Sequence, residues 1–302
     1  MASRSEIRVG PAGWSYDDWS GIVYPSPRPR GFHEATYLAD YFDTIELNVT
    51  FYRTVTPEMA RQWLERVAAN PRFLFTAKLW QAFTHECALT PANERAVRPA
   101  LEVLRAVGKL GALLAQFPWS FKNIPENRSY LEELADRFAD FPLVVEVRHD
   151  SWNDPGFYAW LAERGIGFCN IDQPVIGRSL KPSQRATASV GYVRLHGRNY
   201  QEWFREREDD AGAERYNYLY STGELEPWAE RIQTLAANTR LSFVITNNHF
   251  HGKAVTNALQ LIHRLSDRPV KVPPPLLRHY PELEPIASHE GTTASLFDPP
   301  GR

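Results

Sequence analysis

Eight short runs of β-branched, aromatic and aliphatic residues recur along the 302-residue chain, and amphipathic segments separate most of them. This alternation is typical of repeated strand–helix units that build a parallel sheet. Eight strands close a (β/α)8 TIM barrel, so the pattern predicts an α/β fold with a single barrel of that kind. The predicted strands span residues 7–14, 44–52, 73–80, 112–119, 143–149, 167–172, 191–198 and 241–249.

The segments between the strands carry helix signals. Thr56 and Pro57 supply an N-cap candidate and a proline at the first helical position, and Met59 and Trp63 then recur at helical spacing. These helices would form the outer ring of the barrel. Further amphipathic helices are predicted at residues 93–109, 125–138, 155–163, 226–237 and 253–265.

Two connections and the C-terminal segment depart from this rhythm. The connections 173–189 and 199–223 are longer than a strand–helix unit needs, which is typical of lids or binding loops. Beyond residue 266 prolines cluster and the periodicity fades. We therefore expect one barrel domain over residues 1–266 and a Pro-rich extended tail over residues 267–302.

Polar residues interrupt the predicted strands at alternate positions. In the second strand Ile45 and Leu47 share one parity and suit the helix-facing layer, so Glu46 must point inward. Active sites of such barrels lie at the carboxyl ends of the strands, where most of these polar residues fall. A buried ion network without a ligand is the alternative. The same parity test places inside Asn48, Thr50, Thr76, Lys78, Gln116, Glu146, Arg148, Asn170, Asp172, Arg194, His196 and, if the strand continues, Arg198.

Composition narrows the classes of function. The chain has 34 Lys and Arg against 36 Asp and Glu, which disfavours a surface coated with positive charge but leaves a local basic site open. No apolar run approaches the roughly 20 residues of a membrane span, so we expect a cytoplasmic protein with no membrane partner. The two cysteines give neither a disulfide framework nor a metal-type spacing. Nine Trp, 13 Tyr and 16 Phe exceed what a minimal core needs and could provide stacking platforms for sugars or bases.

Several strand-end motifs together resemble the DUF72 (YecE-like) family of TIM-barrel proteins, which have no assigned activity. The resemblance runs from about residue 7 to residue 265 and implies the fold while leaving the reaction open. Pro11-Ala12 and Trp119 depart from the family's more common residues, so the first loop and the rim are expected to differ. The motifs are Gly13-Trp14-Ser15-Tyr16, Glu46-Leu47-Asn48, Gln116-Phe117-Pro118, Glu146-Val147-Arg148-His149, Arg194-Leu195-His196-Gly197-Arg198 and Asn247-Asn248.

The inward cations suggest an anionic ligand. Lys78, Arg148, Arg194 and Arg198 could converge on one phosphate or carboxylate, since arginine's planar fork suits such groups. We therefore expect an anion-binding pocket and an enzyme acting on a phosphorylated or anionic small molecule, such as a nucleotide or a sugar phosphate. The predicted substrate-binding residues are Trp14, Tyr16, Asn48, Tyr52, Lys78, Gln116, Arg148, Arg194, Arg198, Asn247 and Asn248.

Acid–base catalysis is predicted from the inward carboxylates. Glu46 and Glu146 are candidates for the catalytic acid and base, because opposed carboxylates in a dry cleft can have pKa values driven apart. Asp172 is a further catalytic candidate, and His196 is either a proton shuttle or a satisfied core residue. No Gly-x-Ser-x-Gly elbow or Gly-rich phosphate loop occurs, which disfavours nucleophilic serine chemistry.

Two alternatives stay open at the level of sequence. Glu46, Glu146, Asp172, His196 and His249 are ligand-type residues, so a divalent metal fits the composition of the strand ends, yet no metal signature identifies a cofactor. The rival function is a protein that binds nucleic acid or cleaves a phosphodiester, using basic side chains and rings to hold a strand. The oligomeric state does not follow from the sequence.

Overall fold

The computed structural model describes residues 5–200 and 214–288, and its central feature is a parallel eight-stranded sheet. The strands follow the order β1-β8-β7-β6-β5-β4-β3-β2, in which neighbours along the chain are neighbours in space. This confirms the predicted (β/α)8 barrel. The strands are β1 Glu6–Pro11, β2 Thr44–Leu47, β3 Leu74–Lys78, β4 Leu110–Gln116, β5 Leu143–Glu146, β6 Gly167–Asp172, β7 Val190–Leu195 and β8 Leu241–Thr246.

The seam between β1 and β2 closes the barrel through a single parallel bridge between Ala12 and Glu46. There the Gly13 N–H donates to the Glu46 carbonyl at 2.8 Å. Gly10 lies on the same seam, and a Cβ at that position would sit 2.0 Å from the Thr44 carbonyl oxygen. Only glycine allows the two backbones to approach so closely.

Helices surround the sheet, and the predicted capping signal at Thr56 and Pro57 is confirmed. Thr56 accepts a hydrogen bond from the Met59 N–H ahead of Pro57, and Asp154 caps the helix that starts at Pro155 in the same way. None of the described helices is both long enough and apolar enough to cross a membrane. The helices are α1 Glu34–Ala39, α2 Val49–Tyr52, α3 Pro57–Arg66, α4 Gln81–Thr84, α5 Pro91–Ala106, α6 Pro125–Arg137, α7 Pro155–Glu163, α8 Thr222–Ala237, α9 Lys253–Ser266 and α10 Pro274–His279.

Several strands end earlier than the sequence predicts. The second was expected to reach residue 52, but β2 stops at Leu47 and α2 begins at Val49. The Thr50 hydroxyl lies between the carbonyls of Leu47 and Lys78, at 2.8 and 2.7 Å. Such local side-chain bonds offer the backbone an alternative to the sheet, so the chain turns where the barrel ends.

The parity predicted for β6 is wrong. The Cys169 thiol contacts Glu146 Oε2 in the barrel interior at 3.8 Å, so Asn170 and Asp172 belong to the opposite face. Asn170 there accepts from the Arg185 N–H and donates to the Arg185 carbonyl, at 2.8 and 3.0 Å. The returning loop 173–189 satisfies this polar side chain, which therefore needs no place on the barrel axis.

The described part of the predicted tail is folded onto the barrel. Residues 274–279 form α10, a 3-10 helix spans Pro281–Ile286, and both Leu276 and Leu283 are fully buried. The Tyr280 hydroxyl donates to the His251 carbonyl in the loop after β8 at 2.8 Å. Prolines at the starts of these short helices therefore mark packed structure rather than an extended chain. Residues 289–302 lie outside the described residues.

Candidate functional site

Five residues around the barrel axis form what we call the charged cluster: Glu46, Glu146, Arg148, Arg194 and His196. Arg194 on β7 is its centre, donating from Nη2 to Glu46 Oε1 at 2.7 Å and from Nη1 to Glu146 Oε2 at 2.8 Å. The side chains of Arg194, Glu46 and Glu146 are all buried. The inward orientation predicted for these three residues is confirmed.

Glu146 accepts hydrogen bonds from several groups around it, Arg194 among them. Arg148 Nη2 donates to Glu146 Oε1 at 2.9 Å and Gln116 Nε2 donates to the same oxygen at 3.0 Å. Burial alone would raise the pKa of Glu146, but the nearby arginines hold it well below its usual range. Glu146 is thus a stably ionised group that positions its donors.

His196 is held as a neutral ring. Burial, reinforced by Arg148, lowers the pKa of His196 to about 3. Asn247 Nδ2 lies 3.1 Å from Nδ1, and Glu146 Oε1 lies 3.2 Å from Nε2. Arg148 Nη2 and Arg194 Nη1 also lie 3.3 and 3.4 Å from Nε2, so this nitrogen faces two donors as well as the carboxylate, and both ring nitrogens have polar neighbours. These contacts match the satisfied-core interpretation of His196.

Hydrogen bonds of the Tyr192 hydroxyl connect the charged cluster to Thr76. The Tyr192 hydroxyl lies 2.9 Å from Glu46 Oε2 and 2.8 Å from Thr76 Oγ1. Burial and the Glu46 carboxylate raise the pKa of Tyr192 well above its usual value, so the hydroxyl stays protonated and can donate. The barrel axis is therefore filled by paired polar groups from four strands.

A cavity of about 390 Å³ opens at the carboxyl ends of the strands, and we call it the mouth cavity. Gln116 and Asn247 belong to its lining and also bond to Glu146 and His196, so they join the cavity to the charged cluster. Its lining consists of Gly13, Trp14, Ser15, Tyr16, Asn48, Val49, Tyr52, Arg53, Met59, Trp63, Lys78, Gln116, Tyr216, Asn247 and His249.

Aromatic rings form much of the wall of the mouth cavity. Trp14 meets Trp63 edge to face with the ring centroids 6.1 Å apart. Tyr16 stacks on His249 at 4.4 Å, and its hydroxyl donates to the Ala12 carbonyl at 2.6 Å. Burial lowers the pKa of His249 to about 4, so this ring is neutral near pH 7. Flat faces of this kind suit the apolar surface of a sugar or a base.

Lys78 is the buried cation of the mouth cavity. Its Nζ lies 3.8 Å from the centroid of the Phe51 ring, a cation–π contact supplied by α2. Burial, reinforced by Arg194, lowers the pKa of Lys78 to about 7. Across residues 5–200 and 214–288, no side chain or carbonyl accepts a hydrogen bond from this amine or pairs with it as a salt bridge.

Two amide oxygens in the lining also lack a protein partner within the described part of the chain. The Glu146 carboxylate only accepts hydrogen bonds, so Gln116 directs its Nε2 donor toward it. The other amide atom, Gln116 Oε1, is buried without a hydrogen-bond partner. Asn48 donates weakly from Nδ2 to the Tyr16 hydroxyl at 3.4 Å, and its buried Oδ1 has no partner. Buried polar atoms are normally paired, so each oxygen calls for a donor from a ligand or a water molecule.

Three predicted site residues lie elsewhere. Arg198 donates from Nε to Asp172 Oδ2 at 2.9 Å, and neither residue lines the mouth cavity. Arg198 follows the end of β7, where Gly197 turns the chain with φ +91°. Asn248 donates to the Tyr218 carbonyl and to Asn257 on α9. The proposed convergence of four cations on one anion is therefore wrong for Arg198, and Arg194 is engaged by the two glutamates.

Sequence reasoning missed several residues of the lining. Met59 and Trp63 were assigned to helix packing, and Arg53 and Tyr216 were not considered. The 3-10 helix Glu214–Tyr216 brings Tyr216 in from the long loop 199–223. The helical spacing of Met59 and Trp63 was visible, but nothing in it indicated that this face of α3 meets Trp14.

The described residues offer no metal centre. Nowhere in residues 5–200 or 214–288 do three or more His, Cys, Asp or Glu side chains come together in a way that could hold an ion. Glu46 and Glu146 are occupied by Arg194, and His249 stacks on a tyrosine. The ligand-type residues noted in the sequence are thus separated or already paired.

The fold and the mouth cavity define a TIM-barrel protein with a small-molecule-sized pocket at the carboxyl ends of its strands. The family described as "Protein of unknown function DUF72" matches residues 8–281. The chain belongs to this DUF72 family, which confirms the resemblance seen in its motifs.

Individual relatives agree with the family assignment. The UPF0759 protein YunF of Bacillus subtilis (strain 168) is 29% identical over 275 residues, covering 86% of this chain and 94% of that protein. A DUF72 family protein of Thermotoga maritima has a structure with a TM-score of 0.74 at 32% identity, covering 86% of this chain and 99% of that one. A DUF72 family protein of Enterococcus faecalis gives 0.74 at 24% identity over 86% and 95% of the chains, which shows the shared fold.

Proposed function

We propose that this protein is an enzyme whose mouth cavity binds a small, hydroxylated, anionic molecule such as a sugar phosphate. The observation that carries the proposal is Lys78, a buried amine that lines the cavity without a hydrogen-bonding partner among the described residues. A buried ammonium is costly unless it is paired, so a ligand that pairs with it gains affinity.

The hydroxyl groups of the ligand are inferred from the two unpaired amide oxygens. Asn48 Oδ1 and Gln116 Oε1 can only accept, so the complementary ligand atoms are donors. A carboxylate or phosphate alone would supply acceptors there and leave both oxygens unsatisfied. A molecule with several hydroxyls and one anionic group could donate to the two amide oxygens and pair with the Lys78 ammonium.

The anionic group is inferred from the charge that remains after the internal pairs are formed. Glu46 and Glu146 compensate Arg148 and Arg194, whereas Lys78 and the exposed Arg53 carry positive charge at the cavity itself. A volume of about 390 Å³ is in the range of pockets for small ligands. No observation favours nucleic acid over a small molecule.

Proton transfer at the substrate is assigned to Lys78, whose pKa of about 7 suits a general acid or base near neutral pH. Glu46 and Glu146, expected from the sequence to perform this role, do not line the mouth cavity. We propose that Glu146 acts through Gln116 and Glu46 through Arg194, which makes both positioning residues.

Binding of phosphorylated and unphosphorylated sugars to the full chain tests the proposal. Phosphorylated members of the panel should stabilise the protein in thermal unfolding, and Lys78→Gln should weaken binding at least about tenfold, or ~1.4 kcal/mol. Lys122→Gln is the matched control, because this exposed lysine lies outside the cavity. Equal binding by both variants would contradict the proposal.

A salt titration separates the rival function. Affinity for a DNA or RNA strand would fall steeply with salt, in proportion to the phosphates contacted, whereas a small ligand in the mouth cavity should respond much less. The nucleic-acid-binding function would be favoured if the protein retains a DNA or RNA strand with a steep salt dependence and Lys78→Gln abolishes that retention.

A further inference from the structure

The surroundings of Lys78 suit an amine that reacts, in addition to one that binds. The Nζ rests on the face of Phe51 and is buried at the end of β3, in a cavity walled largely by rings. Arg194 and Arg148 oppose its positive charge, while Glu46 and Glu146, both paired with Arg194, favour it. A lysine desolvated in this way beside other cations is the arrangement that makes the amine nucleophilic near neutral pH.

An anion-binding role alone explains this arrangement poorly. A group that only clamps a phosphate works best when it is always charged and presents several donors, as arginine does. Lys78 instead keeps a compact amine where burial, reinforced by Arg194, favours its neutral form. The neutral form has a lone pair that can attack a carbonyl carbon, and the protonated form can pair with an anionic group.

We infer that Lys78 Nζ forms an imine with the carbonyl carbon of a hydroxylated aldehyde or ketone bound in the mouth cavity. This inference rests on the proposed function, because the carbonyl compound is taken to be the small anionic ligand of the same cavity. The unpaired oxygens of Asn48 and Gln116 would accept from its hydroxyl groups. The anionic group would lie toward Arg53 at the exposed part of the lining.

The step is balanced without any further reactant. Lys78 first releases one proton to solvent, and the amine lone pair then attacks the carbonyl carbon while the π electrons move to oxygen. A proton passes from nitrogen to that oxygen, giving a carbinolamine. Uptake of one proton expels the oxygen as water and leaves a protonated imine, so ammonium and carbonyl become iminium and water. The iminium nitrogen then withdraws electrons from the adjacent carbon.

Borohydride trapping tests the inference on the full chain. Dihydroxyacetone phosphate is the probe, because it is a hydroxylated and anionic ketone, and its binding is measured in parallel without borohydride. Reduction should fix the probe on the protein as a stable adduct, and peptide mass mapping should locate it at Lys78. Dihydroxyacetone, which lacks the phosphate, should give less adduct at the same concentration.

Variants separate covalent from non-covalent binding. Lys78→Arg keeps the positive charge but cannot form an imine, so it should lose the adduct, and Lys78→Met should lose it as well. Lys122→Arg should retain the full yield, since Lys122 is exposed and lies over Trp119 away from the cavity. Thermal unfolding of each variant shows that it is folded before its yield is compared.

The outcomes distinguish the inference from the function on which it rests. An adduct at Lys78 that disappears in Lys78→Arg and in Lys78→Met supports the imine and the proposed function. Binding of the phosphorylated probe that depends on Lys78, with no trapped adduct, overturns the imine and leaves the proposed function standing. Adduct spread over exposed lysines, unchanged in Lys78→Arg, also overturns the imine. Absence of both binding and adduct counts against both.

Discussion

The charged cluster and the mouth cavity are neighbouring regions that use similar residue types but complete their hydrogen bonds differently. In the cluster, Arg194 pairs with Glu46 and Glu146 through short contacts in a fully buried space, and among the described residues its Nε is the one side-chain atom of the cluster that is buried without a hydrogen-bond partner. In the cavity, Lys78 and the amide oxygen of Gln116 have no protein partner among the described residues. Internal pairing indicates a structural role, whereas unpaired groups in a cavity indicate a ligand. We therefore propose a structural role for the charged cluster and a ligand-binding role for the mouth cavity.

Arg194→Met should give the largest effect, on stability. The substitution leaves two buried carboxylates without their shared partner, so the free energy of unfolding should fall by about 3–5 kcal/mol in urea denaturation. Arg178→Met is the control, because Arg178 is mostly exposed and its pair with Asp150 is worth about 0–1 kcal/mol. A loss below ~1 kcal/mol for Arg194→Met would remove the distinction between the two regions.

Lys78→Met should give a smaller effect, an increase in stability whose size depends on pH. The pKa of Lys78 is about 7 in the folded chain against 10.5 ordinarily, so between these values the unfolded chain binds more protons and wild-type stability rises with pH. The variant lacks this dependence. It should be more stable than wild type near pH 7, by up to a few kcal/mol, and the gap should close toward pH 10.5.

Urea unfolding of the wild type and of Lys78→Met between pH 7 and pH 10.5 measures the difference in their free energies of unfolding. The charged neighbours that set the shift are Arg194, Glu46, Glu146 and Arg148, all kept in the variant. A gap that stays constant with pH would mean that Lys78 titrates as an ordinary exposed lysine.

Asn48→Ala should give the smallest effect. Asn48 makes only a 3.4 Å contact with Tyr16, so its loss should change the free energy of unfolding by less than about 0.5 kcal/mol. Binding of dihydroxyacetone phosphate should weaken by about 0.5–1.5 kcal/mol, because one hydrogen bond to a ligand hydroxyl is lost. Isothermal calorimetry and urea unfolding measure the two quantities. Unchanged affinity would mean that Asn48 lines the cavity without forming a hydrogen bond to the ligand.

Alternation predicted much of the charged cluster correctly, because a strand with one clear apolar face has only one possible orientation. Ile45 and Leu47 fixed Glu46 in this way, and Val193 and Leu195 fixed Arg194. The method failed on β6, where Asn170 and Asp172 lie on the outer face and the loop 173–189 satisfies the Asn170 side chain there. A polar residue in a strand indicates the inner face only where no loop satisfies it on the outer face.

The cavity was harder to predict than the cluster. Its lining includes Met59 and Trp63 from a helix and Tyr216 from a long loop, none of which was predicted to line it. These residues meet only because the ends of distant segments fold over the same opening. No periodicity in the sequence indicates that these residues come together. Trp14, Tyr16 and Lys78 were predicted because they lie at or just beyond strand ends.

The span of Arg194 has a consequence for how relatives of this chain can diverge. One guanidinium on β7 ties β2 to β5 across the lumen, so exchanging any of the three partners alone passes through an intermediate with an uncompensated charge. We expect positions 46, 146 and 194 to be inherited together or replaced together, while the residues around the opening are free to vary one at a time.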